Sequence, residues 1–314
     1  MPIFTIQHIT RYEYDRAVRE SANQIKIFPL EREGQQYVKK FNLKISGEPS
    51  VQQFTDYWGN EVGWFTRNES HTELTIESQT VVETHAAASF PTTFSTVEEW
   101  KILRGQIPND LHLLDFTRLE NIESKAEIAA LVHDLQRADD TPAAFIQRCS
   151  AFIFDNFEYK KGITTVETTI DEILKFKSGV CQDFAHVLLQ MLRSVSIPAR
   201  YVSGYICPNQ DGARGAGATH AWVEVFLPTA GWVGIDPTNN IWITDQHVVL
   251  AVGRDFADCT PVKGTFKGPA NQKLSVLVSV GYEDGSTFED LHAVKLIAEE
   301  SLVPLQDFSK AQQQ

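Results

Sequence analysis

The chain is poor in cysteine, in basic charge and in long apolar runs, and each shortage removes a class of function. Of 314 residues four are cysteine, Cys149, Cys181, Cys207 and Cys259, with no CxxC pair among them. That is too few and too scattered for a disulfide scaffold, and no structural metal site is expected. Lys and Arg number 28 against 41 Asp and Glu, a formal charge of −13. A nucleic-acid binder carries a broad basic footprint, and an anionic membrane attracts basic segments. Neither partner is expected, and the acidic balance reads as solubility. No stretch approaches the roughly 18 apolar residues of a transmembrane helix. The segment Met1–His8 has no basic region followed by an apolar one. No signal peptide is therefore read, and the expected location is cytoplasmic. The glycine-rich segment Asn209–Gly217 lacks the Lys-Ser/Thr of a phosphate-binding loop.

What remains is an ordinary globular chain, 42% hydrophobic and 22% charged, long enough for two domains. The first third reads as strands. Phe4, Ile6, His8, Thr10, Tyr12 and Tyr14 alternate with more polar neighbours, the period of a half-buried strand. Turn chemistry at Ser46–Ser50 and Trp58–Asn60 and a further extended run from His71 to His85 suggest an antiparallel sandwich or half-barrel. The middle reads as helices. Thr141-Pro142 opens one with Phe145, Cys149, Phe152 and Ile153 at helical spacing, which makes Cys149 a core thiol. Thr169 and Glu172 form a capping box for a second, expected to stop at Ser178-Gly179 with the glycine left-handed. The expected division is a β-rich domain over residues 1–105 and a catalytic core with C-terminal strands over 106–300, joined through residues 86–110.

Chemistry concentrates between residues 181 and 236. Phe184, Val187, Leu188, Met191, Leu192 and Val195 form one stripe of an amphipathic helix, and Cys181 sits at its start. A thiol there meets the positive end of the helix dipole and unpaired N–H groups, both of which favour thiolate. Thr219–Leu227 alternates as a strand, with His220, Trp222, Glu224 and Phe226 on one face. Trp232–Thr238 is a second strand, with Trp232, Gly234 and Asp236 on one face. A hairpin turning near Thr229 brings His220 and Asp236 onto neighbouring strands within about two residues of register. A helix-start Cys with a His–Asp pair is a nucleophile, base and orienter. His186 and Asp183 read as structural groups of the helix, Arg254 and Asp255 as a possible ion pair, and Cys207 and Cys259 as unreactive.

The ordered blocks Gly-Val-Cys-Gln-Asp-Phe-Ala-His (179–186), Ile-Pro-Ala-Arg-Tyr-Val-Ser-Gly-Tyr (197–205), Thr-His-Ala-Trp-Val-Glu-Val (219–225) and Gly-Trp-Val-Gly-Ile-Asp-Pro-Thr (231–238) closely resemble the transglutaminase-like superfamily. The likeness is to a bacterial two-domain branch described as cysteine proteases. Gly253–Asp258 and the N-terminal His8-x-Thr10-x-Tyr12-x-Tyr14, with Asp56 and Gly59-Asn60, resemble further elements of that branch. Ser196 departs from it, standing where a glycine is usual. The resemblance implies an α+β fold: a papain-like core with the Cys-bearing helix packed on an antiparallel sheet, preceded by a β-rich domain. It implies catalytic roles for Cys181, His220 and Asp236, with Gln182 and Trp222 as candidate cleft residues. The expected reaction is hydrolysis of an amide or peptide bond through an acyl-cysteine. The alternatives are transamidation to an amine, a non-enzymatic peptide-binding module, and, with no motif in support, acetyl transfer. The expected partner is a peptide, protein or amide substrate. No cofactor is expected, and no calcium loop of the animal crosslinking enzymes is visible.

Overall fold

A computed structural model describes residues 1–86, 96–164, 168–207, 214–215 and 219–282. The N-terminal strands are β1 (Ile3–Ile25), β2 (Gln36–Ile45), β3 (Gln52–Thr55), β4 (Glu61–Arg67) and β5 (His71–Thr84). Helices α1 (Thr96–Gln106), α2 (Leu111–Asp115), α3 (Lys125–Leu135) and α4 (Pro142–Asn156) follow, then β6 (Glu158–Tyr159), α5 (Ile170–Phe176), β7 (Ser178–Gly179) and α6 (Cys181–Ser194). Next come β8 (Ala199–Ile206), β9 (Thr219–Leu227), β10 (Gly231–Asp236), β11 (Ile241–Trp242) and β12 (His247–Gly253). The short α7 (Phe256–Cys259) and strands β13 (Val262–Lys267) and β14 (Gln272–Tyr282) close the described chain. No described helix is long and apolar enough to cross a membrane.

The first region is built on β1, a single strand of 23 residues rather than the short strands expected. Its first half, Phe4–Tyr14, lies between β5 and β14, and its last turn of pairing, Ala22–Ile25, lies between β4 and β13. The pairing shifts register between the two halves, and Glu20 there takes a positive φ of 46°. Strands β13 and β14 therefore hydrogen-bond to β1 and not to the sheet that carries His220. The chain returns to complete the edge that β1 would otherwise leave open.

The second sheet has the order β11-β10-β9-β8-β12 and is antiparallel throughout. Its two faces differ. Ala221, Val223, Val225 and Leu227 of β9 pack into one cluster with Phe184, Val187, Leu188, Met191 and Leu192 of α6. Helices α3, α4 and α5 contribute Ile128, Val132, Phe145, Cys149, Ile153, Ile173 and Leu174 to that cluster. Ala185 and Leu189, off the stripe, are buried as well, so α6 is enclosed on both sides. Each such side chain contributes on the order of 1.5–3 kcal/mol on burial. The buried Arg193 ties the end of α6 down, donating to the carbonyls of Ala199 (2.8 Å) and Arg254 (2.6 Å).

The opposite face of that sheet is covered by the N-terminal region. Trp222, Val202, Val249 and Val252 pack against Leu30 and Trp58. At the β8–β12 edge, Tyr205, Val248 and Leu250 pack against Phe4, Ile6 and Val82. Two side-chain amides serve β12 as a neighbouring strand would. Gln36 donates to the Val249 carbonyl (2.9 Å) and accepts from the Val249 N–H (2.8 Å). Asn60 does the same at Val252, with both bonds at 2.7 Å. Edge strand β12 is thereby satisfied without a sixth strand.

Candidate active site

The local chemistry that places Cys181 begins one turn upstream. Helix α5 has the expected capping box, with Thr169 and Glu172 bonded reciprocally. It ends differently from the expectation: Lys177, not Gly179, takes the left-handed position, with φ 46° and ψ 43°. Gly179 is required for another reason. A Cβ there would stand 2.5 Å from the Asp183 carboxylate. Asp183 folds back over the start of α6, its Oδ2 accepting from the Val180 N–H and the Thr164 hydroxyl, each at 2.7 Å. It caps the helix that bears Cys181 and is buried in doing so. The backbone N–H of Cys181, in the first turn, has no intrahelical acceptor.

Strands β9 and β10 pair Ile235 with Val223, so Asp236 falls beside Trp222 and His220 lies two residues further along the same face. The imidazole Nε2 stands 2.8 Å from Asp236 Oδ2, with both side chains fully buried. Asp236 is itself fixed. Its Oδ1 accepts from the Thr238 N–H (2.9 Å), and its Oδ2 accepts from Asn239 Nδ2 (2.7 Å). Burial alone would lower the pKa of His220. The charges of Asp236 and Cys181, with the hydrogen bond to Asp236, override it and raise the ring to about 10. Burial likewise pushes the Asp236 carboxyl up, but His220 and the neighbouring His247 hold it well below the usual range. Each member of the His220–Asp236 pair thus favours the charged form of the other.

The other ring nitrogen, Nδ1, is buried with no hydrogen-bond partner among the described residues. Gly215 covers this side. A Cβ on it would lie 2.8 Å from Nδ1 and 3.6 Å from the Tyr159 hydroxyl. Asn239 holds the neighbouring Arg214 at its N–H (2.8 Å) and carbonyl (3.2 Å), and Arg214 stacks on Phe154. Asn239 thus joins the Asp236 carboxylate to the segment over His220. The rest of the Asn209–Gly217 segment lies outside the described residues.

Cys181 is half-buried, whereas Cys149, Cys207 and Cys259 are buried. Burial raises the pKa of each of those three thiols. Gln182 is also half-buried, next to Cys181. Trp222 is completely buried and lies behind the imidazole, ring centres 6.2 Å apart; it shields His220 rather than forming an open wall. His186 accepts from the Phe256 N–H at 3.2 Å, a structural bond that fastens α7 to α6. Arg254 pairs with Asp258 at 3.2 Å, not with Asp255, which instead caps α7. Ser196 takes a positive φ of 61°, the conformation in which glycine is cheapest.

His247 and Asn239 were not found from the sequence. His247 Nε2 stands 3.5 Å from Asp236 Oδ2, and the ligand-type atoms of His220, Asp236 and His247 lie within 4.8 Å of one another. Two ligands on a tetrahedral zinc ion at roughly 2.0–2.2 Å stand about 3.3 Å apart. The 2.8 Å separation of His220 and Asp236 is instead the length of a charge-assisted hydrogen bond.

Residues 129–237 match the profile of the transglutaminase-like superfamily, and residues 4–83 that of the bacterial transglutaminase-like N-terminal region. An uncharacterized protein of Mycobacterium leprae is 32% identical over 280 residues, 88% of this chain and 97% of that protein. The protein-glutamine gamma-glutamyltransferase of Pseudomonas aeruginosa is 32% identical over 127 residues, 36% of this chain and 18% of the other. The fold matches a crystal structure from Cytophaga hutchinsonii, provisionally described as a cysteine protease, with a TM-score of 0.71 and 20% identity over 94% of this chain and 96% of that one. With its N-terminal region, its helix-start cysteine and its sheet-borne His and Asp, the chain belongs to the transglutaminase-like superfamily.

Proposed function

We propose that the protein is a cysteine-dependent acyl-transfer enzyme that hydrolyses amide or peptide bonds, with Cys181 as nucleophile, His220 as acid and base, and Asp236 as orienter. The observation that carries this reading is the buried His220–Asp236 pair at 2.8 Å, whose ring leaves Nδ1 free and is raised by the charge of Cys181. The Cys181 sulfur, as thiolate, attacks the carbonyl carbon. The carbonyl electron pair moves onto oxygen, where the Cys181 N–H at the helix start donates to it. Reformation of the carbonyl expels the amine, which takes the Nδ1 proton of His220. Water then gives a proton to Nδ1 and its oxygen to the acyl carbon. The carbon–sulfur bond breaks, leaving a carboxylic acid, the thiolate and the imidazolium. Asp236 remains ionised and keeps the ring aimed.

A second reading replaces water by a primary amine. The Pseudomonas aeruginosa relative, named as a glutamine gamma-glutamyltransferase, favours it, and the same residues would act in the same roles. A peptide library bearing primary amides, incubated with the protein and excess primary amine, separates the two by mass spectrometry. Acid products confirm hydrolysis, amine adducts assign transamidation, and neither product from any peptide contradicts acyl transfer.

A further inference from the structure

We propose that His247 is a positioning residue of this site, presenting its Nε2–H to the Asp236 carboxylate beside His220. The inference rests on the acyl-transfer reading above and adds a fourth side chain to it. His247 opens β12, on the far edge of the sheet from β10, and its side chain is fully buried. The Thr244 backbone N–H donates to its Nδ1 at 3.3 Å. A nitrogen that accepts from a backbone N–H carries no proton, so in the neutral ring the proton is on Nε2. Nε2 stands 3.5 Å from Asp236 Oδ2 and has no well-formed hydrogen bond to any described group. An unpaired buried donor is costly. An apolar residue of similar size would avoid that cost; a donor facing a buried carboxylate has a use.

The use follows from what happens to His220 during turnover. Oδ2 accepts from His220 and from Asn239. When His220 gives its Nδ1 proton to the leaving amine, the ring becomes neutral and the carboxylate loses its counter-charge while still in a dry site. His247 takes no part in proton transfer, and so it offers Oδ2 an N–H through both halves of the cycle. At 3.5 Å the contact is long in the resting imidazolium state, where His220 holds Oδ2 most strongly, and it closes as that hold weakens. The Trp222 ring, 5.2 Å from His247 and nearly perpendicular to it, packs the imidazole in place. The titratable groups that face Asp236 are His220 from β9, His247 from β12 and Tyr159 from β6. Cys181 from α6 acts on it through His220, and Arg214 faces Tyr159.

The test uses the full chain as wild type, His247→Leu and His247→Gln, with thermal unfolding recorded for each. The pH dependence of iodoacetamide alkylation at Cys181 reads the thiolate–imidazolium pair without any substrate. Loss of the His247 donor lets Asp236 turn from His220, weakens the imidazolium and moves thiolate formation to higher pH. The Leu variant is expected to shift the alkylation midpoint upward by about half a pH unit or more. On the best peptide it is expected to lose about ten-fold in kcat with KM little changed. The Gln variant, which keeps an N–H donor, is expected to restore most of both. An unshifted midpoint in a folded Leu variant, or a folded Gln variant as impaired as Leu, overturns the proposal. Should the Leu variant fail to fold, ¹⁵N NMR of histidines in the wild type decides: the proposal requires a neutral His247 protonated at Nε2, and a ring protonated at Nδ1 contradicts it. If wild-type Cys181 is not alkylated ahead of the other cysteines, it is the acyl-transfer reading that fails.

Discussion

The two faces of the five-stranded sheet are held by different physics. The face toward α6 is apolar: Ala221, Val223, Val225 and Leu227 meet a helix stripe of Phe, Val, Leu and Met. Its stabilisation scales with area and tolerates exchange of one apolar group for another of like volume. The other face carries His220, Trp222, Glu224 and Asp236, and both carboxylates there have specific partners. Glu224 is 1% exposed and lies between Arg32 of the N-terminal region and Arg200 of β8. Arg200 in turn lies over the Trp232 ring at 4.2 Å. The comparison shows where chemistry can be placed. The first face anchors the helix that bears Cys181, and the second, covered by the N-terminal region, buries one carboxylate against one imidazole.

The largest expected effect lies on the polar face. His220→Ala is expected to lower turnover by about 10⁴-fold or more, because without the base neither half-reaction has a proton carrier. Asp236→Asn is expected to leave measurable activity. Wild-type rates in the His220 variant would require another base. Next in size is Glu224→Gln, which leaves two buried guanidinium groups without their carboxylate. A loss of about 3–5 kcal/mol is expected in denaturant unfolding near neutral pH. Burial pushes the Glu224 carboxyl up, but the two arginines hold it down at about 2, against an ordinary 4.5. Its contribution is therefore complete above about pH 4.5 and is lost as pH falls toward 2. The gap between wild type and Glu224→Gln should narrow over that interval, and a constant gap would contradict the pairing.

Leu188→Ala tests the apolar face. A cost of about 2–5 kcal/mol is expected, with the pH dependence of Cys181 alkylation unchanged in the folded protein. A shifted alkylation profile would mean that the two faces are not separable. The smallest effect is expected from Asn60→Ala. It leaves the Val252 N–H and carbonyl unpaired at the edge of β12, at a cost of about 1–3 kcal/mol, read by faster hydrogen exchange at Val252 than at Val223.

The sequence made the helix start at Cys181 and the His–Asp hairpin legible because their signals are local. A helix start, a strand alternation and a three-residue turn each lie within a few residues, and the register follows from the turn. The apolar face was legible for the same reason. The covering of the polar face was not. Arg32 meets Glu224 across 192 residues of chain and Gln36 meets Val249 across 213, and no spacing rule links such pairs. His247 sits in a run of valines, Val248, Val249 and Val252, with no pattern to mark it. The return of β13 and β14 to β1 also depends on an open edge that only the folded first region creates. At Lys177 and Arg254 the local rules named the wrong neighbour by one to three residues, since tertiary packing, not propensity, selects the final turn.

The central claim is that Cys181 is the nucleophile and that His220 makes it one. The most direct measurement is iodoacetamide labelling of the folded protein at about pH 6–7, with peptide mapping of all four cysteines, in wild type and in His220→Ala. The account predicts that Cys181 is modified first in the wild type and that its rate falls sharply in the variant. Earlier labelling of Cys149, Cys207 or Cys259, or an equal Cys181 rate without His220, would contradict it.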